Sequence, residues 1–326
     1  MKKTDEDKRM LLKFKNRLTK FKKMLESVYY NDEARFRLST TLKITLIPLI
    51  TICVTWSFIF IILRMDLLFF DAHNMTDIAL FEETYYQFVI NTTLDQWHLL
   101  GTMFIILVFV GIYLSNLFLR PFRLIRKYCE DFVENKETAY DPDFFTDLKL
   151  LTSFSEYFFN YMENAKKLGR IDSITIPDKY SRIHSPVFER DFFVQFSFLI
   201  VLTSIILSVF LNNAAVSIHD GIINLAVQTL HPTALIKYFL EKQTHIIDDV
   251  LLWVNLVHVL LYLLLALHLY GKVSVPAFGI FSTMRAFIKG NHKQRIHLMG
   301  YYYLRPHCRS INKYLDYLEK NYKVKD

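Results

Sequence analysis

Two stretches decide the fold: LLGTMFIILVFVGIYLSNLFLRPFRLIRKYCEDFVEN (99–135) and VLLWVNLVHVLLYLLLALHLYGKVSVPAFGIFSTMRAFIKG (250–290). Each opens on an apolar run, 99–119 and 250–270, that contains no Asp, Glu, Lys or Arg. Crossing the hydrocarbon core takes about 20 apolar residues at about 1.5 Å each. Both runs meet that length, as do ITLIPLITICVTWSFIFIIL (44–63) and FFVQFSFLIVLTSIILSVFLN (192–212). Apolar runs this long and free of charge are rarely helices of a soluble core. Four transmembrane helices are therefore expected in an all-α integral membrane protein.

Composition agrees. Of 326 residues, 52% are hydrophobic and 22% charged, which is far too apolar for a disordered chain. Eight Gly and eight Pro rule out collagen-like repeats. Three cysteines, Cys53, Cys129 and Cys308, are too few for a disulfide scaffold, and none forms a CxxC pair. Residues 1–42 are too long and too charged before the first apolar run to read as a signal peptide, so the first span is expected to stay in the mature protein.

The net charge of +7 is mainly a topology signal. Of the 39 Lys and Arg, 36 fall in residues 1–43, 120–191 and 271–326; only Arg64, Lys237 and Lys242 lie in 64–98 and 213–247. Basic residues stay on the inner side of a membrane. Both termini are expected inside, with two outer loops of 64–98 and 213–247. The cost of carrying cations through lipid explains the excess, and no nucleic-acid partner is expected. The first outer loop is acidic, and its tract DIALFEETYYQFVI reads as helix-like, as does TALIKYFLEKQTH in the second.

The chain repeats itself at an offset of about 155 residues. Pro121 meets Pro276; Phe122, Ile125, Cys129, Phe132 and Val133 meet Ala277, Ile280, Met284, Phe287 and Ile288. The first four positions of each row step 3, 4, 3, the seam of a packed amphipathic helix. Asn135 then meets Gly290, both tolerant of the left-handed backbone that ends a helix. Further on, YFFNYMEN (157–164) meets KYLDYLEK (313–320). In the second copy Leu304, Cys308, Ile311, Leu315, Leu318 and Tyr322 form a clean seam. In the first, Leu151, Phe154, Phe158 and Tyr161 make one stripe, while Phe159 and Met162 make the aligned one. Pro121 and Pro276 read as a break or a helix start where each returning span meets its inner helix.

A span, Pro, short heptad helix, Gly-led connector and second heptad helix together resemble a HAMP domain, the module that links membrane spans to outputs in bacterial sensors. The matching residues are Arg120-Pro121-Phe122-Arg123 and Phe159-Asn160-Tyr161-Met162 in the first copy. In the second they are Pro276, Gly290, Arg295-Ile296 and Ile311-Asn312. Both copies lack the Asp-Glu pair that usually opens the second helix. The resemblance implies a four-helix bundle. With two copies in one chain, it implies an internal pseudo-dimer in a bacterial inner membrane. The organisation is then a basic inner helix (1–42), a first hairpin (43–119), a first HAMP-like segment (120–170), a linker (171–191), a second hairpin (192–270) and a second HAMP-like segment (271–326).

Leu11, Phe14, Leu18, Phe21, Leu25 and Val28 step 3, 4, 3, 4, 3 among many Lys and Arg. This basic amphipathic helix fits an anionic leaflet, a coiled-coil partner or this chain's own bundle. In the fourth span Asn255 and His258 share a face at i, i+3, and read as interhelical hydrogen-bond glue. No phosphate-binding glycine loop, HExxH or GxSxG occurs, and the scattered His lack metal-ligand spacing. No catalytic group, cofactor or metal is expected. The expected function is a non-enzymatic signal relay or scaffold acting through membrane lipid and a separate cytoplasmic partner, with a homo-oligomer possible in principle. The alternative is a small transporter or channel subunit, for which His258 would be the intramembrane ionisable group.

The charge split makes a direct test. Cys placed at Thr76 and at Thr233 should react with an impermeant reagent outside intact cells, and Cys at Ser181 should not. Labelling of Ser181 or protection of both loops would reverse the topology.

Overall fold

The computed structural model describes residues 30–73, 78–136, 140–141, 148–230 and 233–325. The seam Leu11, Phe14, Leu18, Phe21, Leu25 lies outside these residues. In chain order the elements are α1 (Asp32–Ala72), α2 (Ile78–Val133), α3 (Lys149–Leu168), β1 (Arg170–Asp172), α4 (Asp178–Ser181), α5 (Arg190–Leu230) and α6 (Ala234–Ile288), then a single 3-10 turn (Tyr302–Leu304), α7 (Arg305–Asn321) and β2 (Lys323–Lys325). Four helices, α1, α2, α5 and α6, are long and apolar enough to cross a membrane.

These helices are longer than their apolar runs. The segments expected as outer loops are almost wholly helical, because α1 continues to Ala72 and α2 starts at Ile78, and α5 continues to Leu230 and α6 starts at Ala234. The reason is side-chain spacing. Tyr85 and Val89, Ile218 and Ile222, Ala226, and Ile236 and Leu240 recur every four residues and are buried in one apolar cluster. That burial stabilises a helical hairpin where polar composition alone reads as loop.

The prolines do not break the helices. Pro121 lies inside α2 and Pro276 inside α6, against the expected break at these junctions. Proline removes one N–H and so frees the carbonyl four residues earlier. For Pro276 that carbonyl belongs to Lys272, and the Tyr303 hydroxyl donates to it at 2.5 Å. Pro48, inside α1, frees the Ile44 carbonyl, and the Tyr262 hydroxyl donates to it at 2.9 Å. A distant tyrosine thus replaces the missing backbone donor in both helices.

The chain forms two compact units. One comprises Thr41–Gly111 and Phe193–Leu269. Within it α6 is hydrogen-bonded to α1 along its length. Lys43 pairs with His268 at 3.1 Å, Tyr262 with Ile44, Thr51 with His258 at 2.8 Å, and Gln243 donates to Asp66 at 2.7 Å. The numbers rise on α1 as they fall on α6, so the helices are antiparallel. The buried face of α1 carries Thr41, Thr45, Thr51 and Thr55, while Leu46, Leu49, Ile50, Val54, Phe58 and Ile61 point outward. Gly111 lets α2 meet α1 backbone to backbone, since a Cβ there would lie 2.7 Å from Thr41 Cα.

The other unit comprises Met1–Thr40, Ile112–Phe192 and Tyr270–Asp326. Here the repeat reaches the level of single hydrogen bonds. At the end of α2, Asn135 N–H donates to Phe132 and Lys136 N–H to Asp131; at the end of α6, Gly290 N–H donates to Phe287 and Asn291 N–H to Ala286. Both are Schellman caps, 155 residues apart, and Asn135 (φ 55°) and Gly290 (φ 101°) hold the left-handed position. β1 and β2, which follow α3 and α7, pair in parallel through Ile171 and Val324. This two-stranded sheet is a small departure from an all-α chain. The expected linker, residues 171–191, is held down. Tyr180 is buried, and the Arg285 guanidinium donates to the carbonyls of Tyr180 and Ile183.

The proline–tyrosine device predicts a specific non-additivity. Tyr262→Phe should lower stability by about 1–3 kcal/mol, the cost of leaving a buried carbonyl unpaired. In a Pro48→Ala background, where the backbone N–H returns, the same change should cost much less. Thermal unfolding of the four proteins in detergent measures the coupling; equal costs in both backgrounds would refute it.

Candidate functional site

The seam residues named from the sequence come together. Ile125, Cys129 and Phe132 of α2, Phe159 and Met162 of α3, Ile280, Met284 and Phe287 of α6, and Leu315 and Leu318 of α7 are all buried. In α3 both candidate stripes are buried: Leu151, Phe154 and Phe158 as well as Phe159 and Met162. A helix surrounded on two sides buries more than one stripe. Tyr161 stays half-buried, and its hydroxyl donates to the Asp172 carbonyl.

The two copies share one aromatic core. Tyr314 of α7 is fully buried at its centre, with Phe132 at 5.0 Å, Phe159 at 5.9 Å and Tyr128 and Phe158 at 6.4 Å between ring centroids. Phe154 meets Phe281 at 4.7 Å and Phe158 meets Phe287 at 6.3 Å. Every one of these pairs joins the first copy to the second. The Tyr314 hydroxyl has no hydrogen-bond partner among the described residues. Burial pushes its ionisation far up, so it stays neutral.

Beside this core lies a charge cluster that pattern reading missed. Glu33 of α1 faces Arg37 at 3.4 Å, Arg123 at 3.2 Å and Arg126 at 3.9 Å. Arg126 also binds Glu130 at 2.8 Å, and Ser310 of α7 donates to the same Glu130 oxygen at 2.7 Å. His307 of α7 is fully buried, 3.5 Å from Glu33, with neither ring nitrogen hydrogen-bonded. Burial holds His307 down at about 4, so it is neutral at pH 7. The cluster joins three segments that are remote in sequence. Only the i, i+4 spacings of Glu33 with Arg37 and of Arg126 with Glu130 were open to sequence reading.

The second connector is clamped. The Asn312 side chain accepts from the Ile296 N–H at 2.8 Å and donates to its carbonyl at 3.1 Å. Arg295 bonds Asp316 at 2.7 Å and also Glu319. Burial of Arg295 works against its charge, and the two carboxylates outweigh it. These are the residues of the Arg295-Ile296 and Asn312 motif.

In the unit of Thr41–Gly111 and Phe193–Leu269, Asn255 and His258 do not act together. Asn255 donates to Asn212 of α5 at 2.7 Å, and His258 pairs with Thr51 of α1. Each ties α6 to a different helix. A cavity of about 300 Å³ in this unit is lined by Pro48, Trp97, Gly101, Phe104 and other apolar groups, with Thr45 as a polar member. Among the described residues, no three His, Cys, Asp or Glu converge as a metal site. Comparison with known protein families, with characterised proteins and with solved structures finds no match to this chain.

His307 gives the seam an acid limit. Its folded value of about 4 lies below the usual 6.5, so the unfolded chain binds more protons between them. This contribution to stability is complete above pH 6.5 and is lost as pH falls towards 4. The groups facing it are Glu33, Arg123, Arg126 and Glu130. Melting temperature should fall between pH 7 and pH 5 in the parent, and His307→Phe should flatten that fall. An unchanged slope would remove His307 as the cause.

Proposed function

We propose that this chain is a non-enzymatic, multi-pass membrane signal relay, with both termini in the cytoplasm of a bacterium and two HAMP-like segments folded on each other as an internal pseudo-dimer. The observation that carries the reading is the shared core. α2 and α6 run unbroken from their apolar stretches into a seam where both copies meet around Tyr314. A displacement at the hairpin end of either helix therefore reaches the seam through continuous backbone. Four long helices that expose many large apolar side chains along their length support the membrane part of the reading. The 36-to-3 basic split supports the orientation.

On this reading the stimulus acts at the outer hairpins, and the output is a change on the cytoplasmic seam, read by a separate partner. The relay is physical only if both ends bias one two-state element. The test ties the outer end and watches the inner one. Phe69 and Phe239 stack with centroids 3.9 Å apart. Cys at both, joined by a short bifunctional reagent, should change amide exchange in residues 149–168 and 305–321 several-fold. Unchanged exchange in both helices after complete cross-linking would overturn the relay and leave a passive scaffold.

A further inference from the structure

We propose that the Met299–Arg305 turn is an anchor that seats on the anionic headgroup layer of the membrane crossed by the same chain. The proposal rests on the membrane reading above. Met299 is 93% exposed, the most exposed large hydrophobic side chain among the described residues. Gly300, at φ 82°, makes the turn that presents it, and three tyrosines follow.

The depth of this turn is set by its ties. α6 runs on from Lys272 to Ile288, and the connector then brings the chain back. It returns to Lys272 itself, where the Tyr303 hydroxyl takes the carbonyl freed by Pro276, and the Tyr303 ring stacks on Phe36 of α1 at 4.1 Å. Lys272 stands two residues past the apolar run 250–270, about 3 Å along the axis. The headgroup layer extends roughly 5–8 Å beyond the hydrocarbon on each side. On the membrane reading the Tyr301–Tyr303 end of the turn is therefore held at headgroup depth, while Leu298, just before Met299, packs beside Gly279 further along α6.

Its chemistry suits that layer. Lys272 lies over the Tyr301 ring at 5.7 Å and Arg35 over the Tyr302 ring at 4.9 Å. Tyrosines with one apolar and one wet end favour the interface. Arg305 and Arg309 are exposed one helical turn apart on α7, adding cations beside the tyrosines. Asp32 pairs with Arg35 at 4.0 Å. A protruding apolar side chain, a tyrosine pair and a basic rim match a leaflet that contains anionic phospholipid. A protein partner offers no reason for the turn to return to the end of a span.

The test uses the full chain with the exposed Cys53 replaced by Ser and Met299→Cys carrying a polarity-sensitive fluorophore. Companion chains carry the label at Lys289→Cys, at the far end of α6, and at Trp253→Cys, within the apolar run. Each is reconstituted in phosphatidylcholine, with or without phosphatidylglycerol, and probed with brominated lipid and aqueous iodide. With phosphatidylglycerol, the label at 299 should be quenched by brominated lipid several-fold more than that at 289, and less by iodide. Arg305→Gln with Arg309→Gln should reduce that difference. If 253 is lipid-quenched but 299 responds like 289, the anchor is wrong and the membrane reading stands. If 253 also escapes brominated lipid, both fall together. Shielding of 299 from iodide without lipid quenching would mean that protein covers it, and equal quenching without phosphatidylglycerol would remove the anionic preference; either result overturns the proposal.

Discussion

A helix that crosses lipid receives no hydrogen bond from its solvent, so each polar group must find a partner inside the chain. On the proposed membrane reading, several contacts of the four long helices answer that constraint. Four threonines of α1 lie on its buried face, where Thr45 and Thr51 donate to the Leu42 and Ile47 carbonyls, while Leu46, Leu49 and Ile50 are exposed. Thr51 serves two needs, donating within its own helix to the Ile47 carbonyl and meeting His258 across the pair. Pro48 is tolerated because Tyr262 arrives from α6 to take the Ile44 carbonyl. The tyrosine is therefore part of the proline's environment, and neither residue is intelligible alone.

The same rule explains why the returning helices do not break where they leave their apolar stretches. At Pro276 the freed carbonyl is taken by Tyr303, a residue that also ends the second connector and stacks on Phe36. One side chain thus keeps α6 continuous and fixes where the connector returns. Beyond the prolines the two copies converge on equal geometry by different means. Asn135 holds the left-handed cap in the first, where a side chain carries some cost, and Gly290 holds it freely in the second. The second connector is then clamped by Asn312 and Arg295.

Much of this was legible from periodicity. The four apolar runs, the 155-residue offset, the seam positions and the two helix ends all depend on local spacing, and spacing survives in sequence. The helix-like tracts DIALFEETYYQFVI and TALIKYFLEKQTH were legible, but the full extent of the helical hairpins was not, because the rest of residues 64–98 and 213–247 is polar enough to read as loop. Their buried positions recur every four residues but are scattered among Asp, Glu and Lys. Continuity through Pro276 was not legible, since it depends on a tyrosine 27 residues further on. The cluster of Glu33, Arg126 and His307 joins segments separated by most of the chain, and no local pattern marks it. The strand pair of Arg170–Asp172 and Lys323–Lys325 is too short to carry a strand period.

The duplication also changes what a shared seam does. In a bundle of two identical chains, equivalent positions share one chemistry and any asymmetry must come from outside. Here the copies differ. Tyr314 of the second copy aligns with Phe158 of the first and differs from it by a buried hydroxyl; its ring lies beside Phe132, Phe158 and Phe159. Close-packed rings do not slide continuously, because a shift of a fraction of an ångström forfeits contact on one side before gaining it on the other. If the proposed relay operates, one copy moves against the other between discrete packings. The Tyr314 hydroxyl and the His307 ring nitrogens lie on that boundary, and among the described residues neither makes a hydrogen bond, although His307 stands 3.5 Å from Glu33. Buried polar groups without partners cost stability, so an arrangement that pairs either one gains what this arrangement forgoes. On the proposed relay, an asymmetry of this kind would give the seam a preferred direction of change, which two identical chains would have to acquire from a ligand.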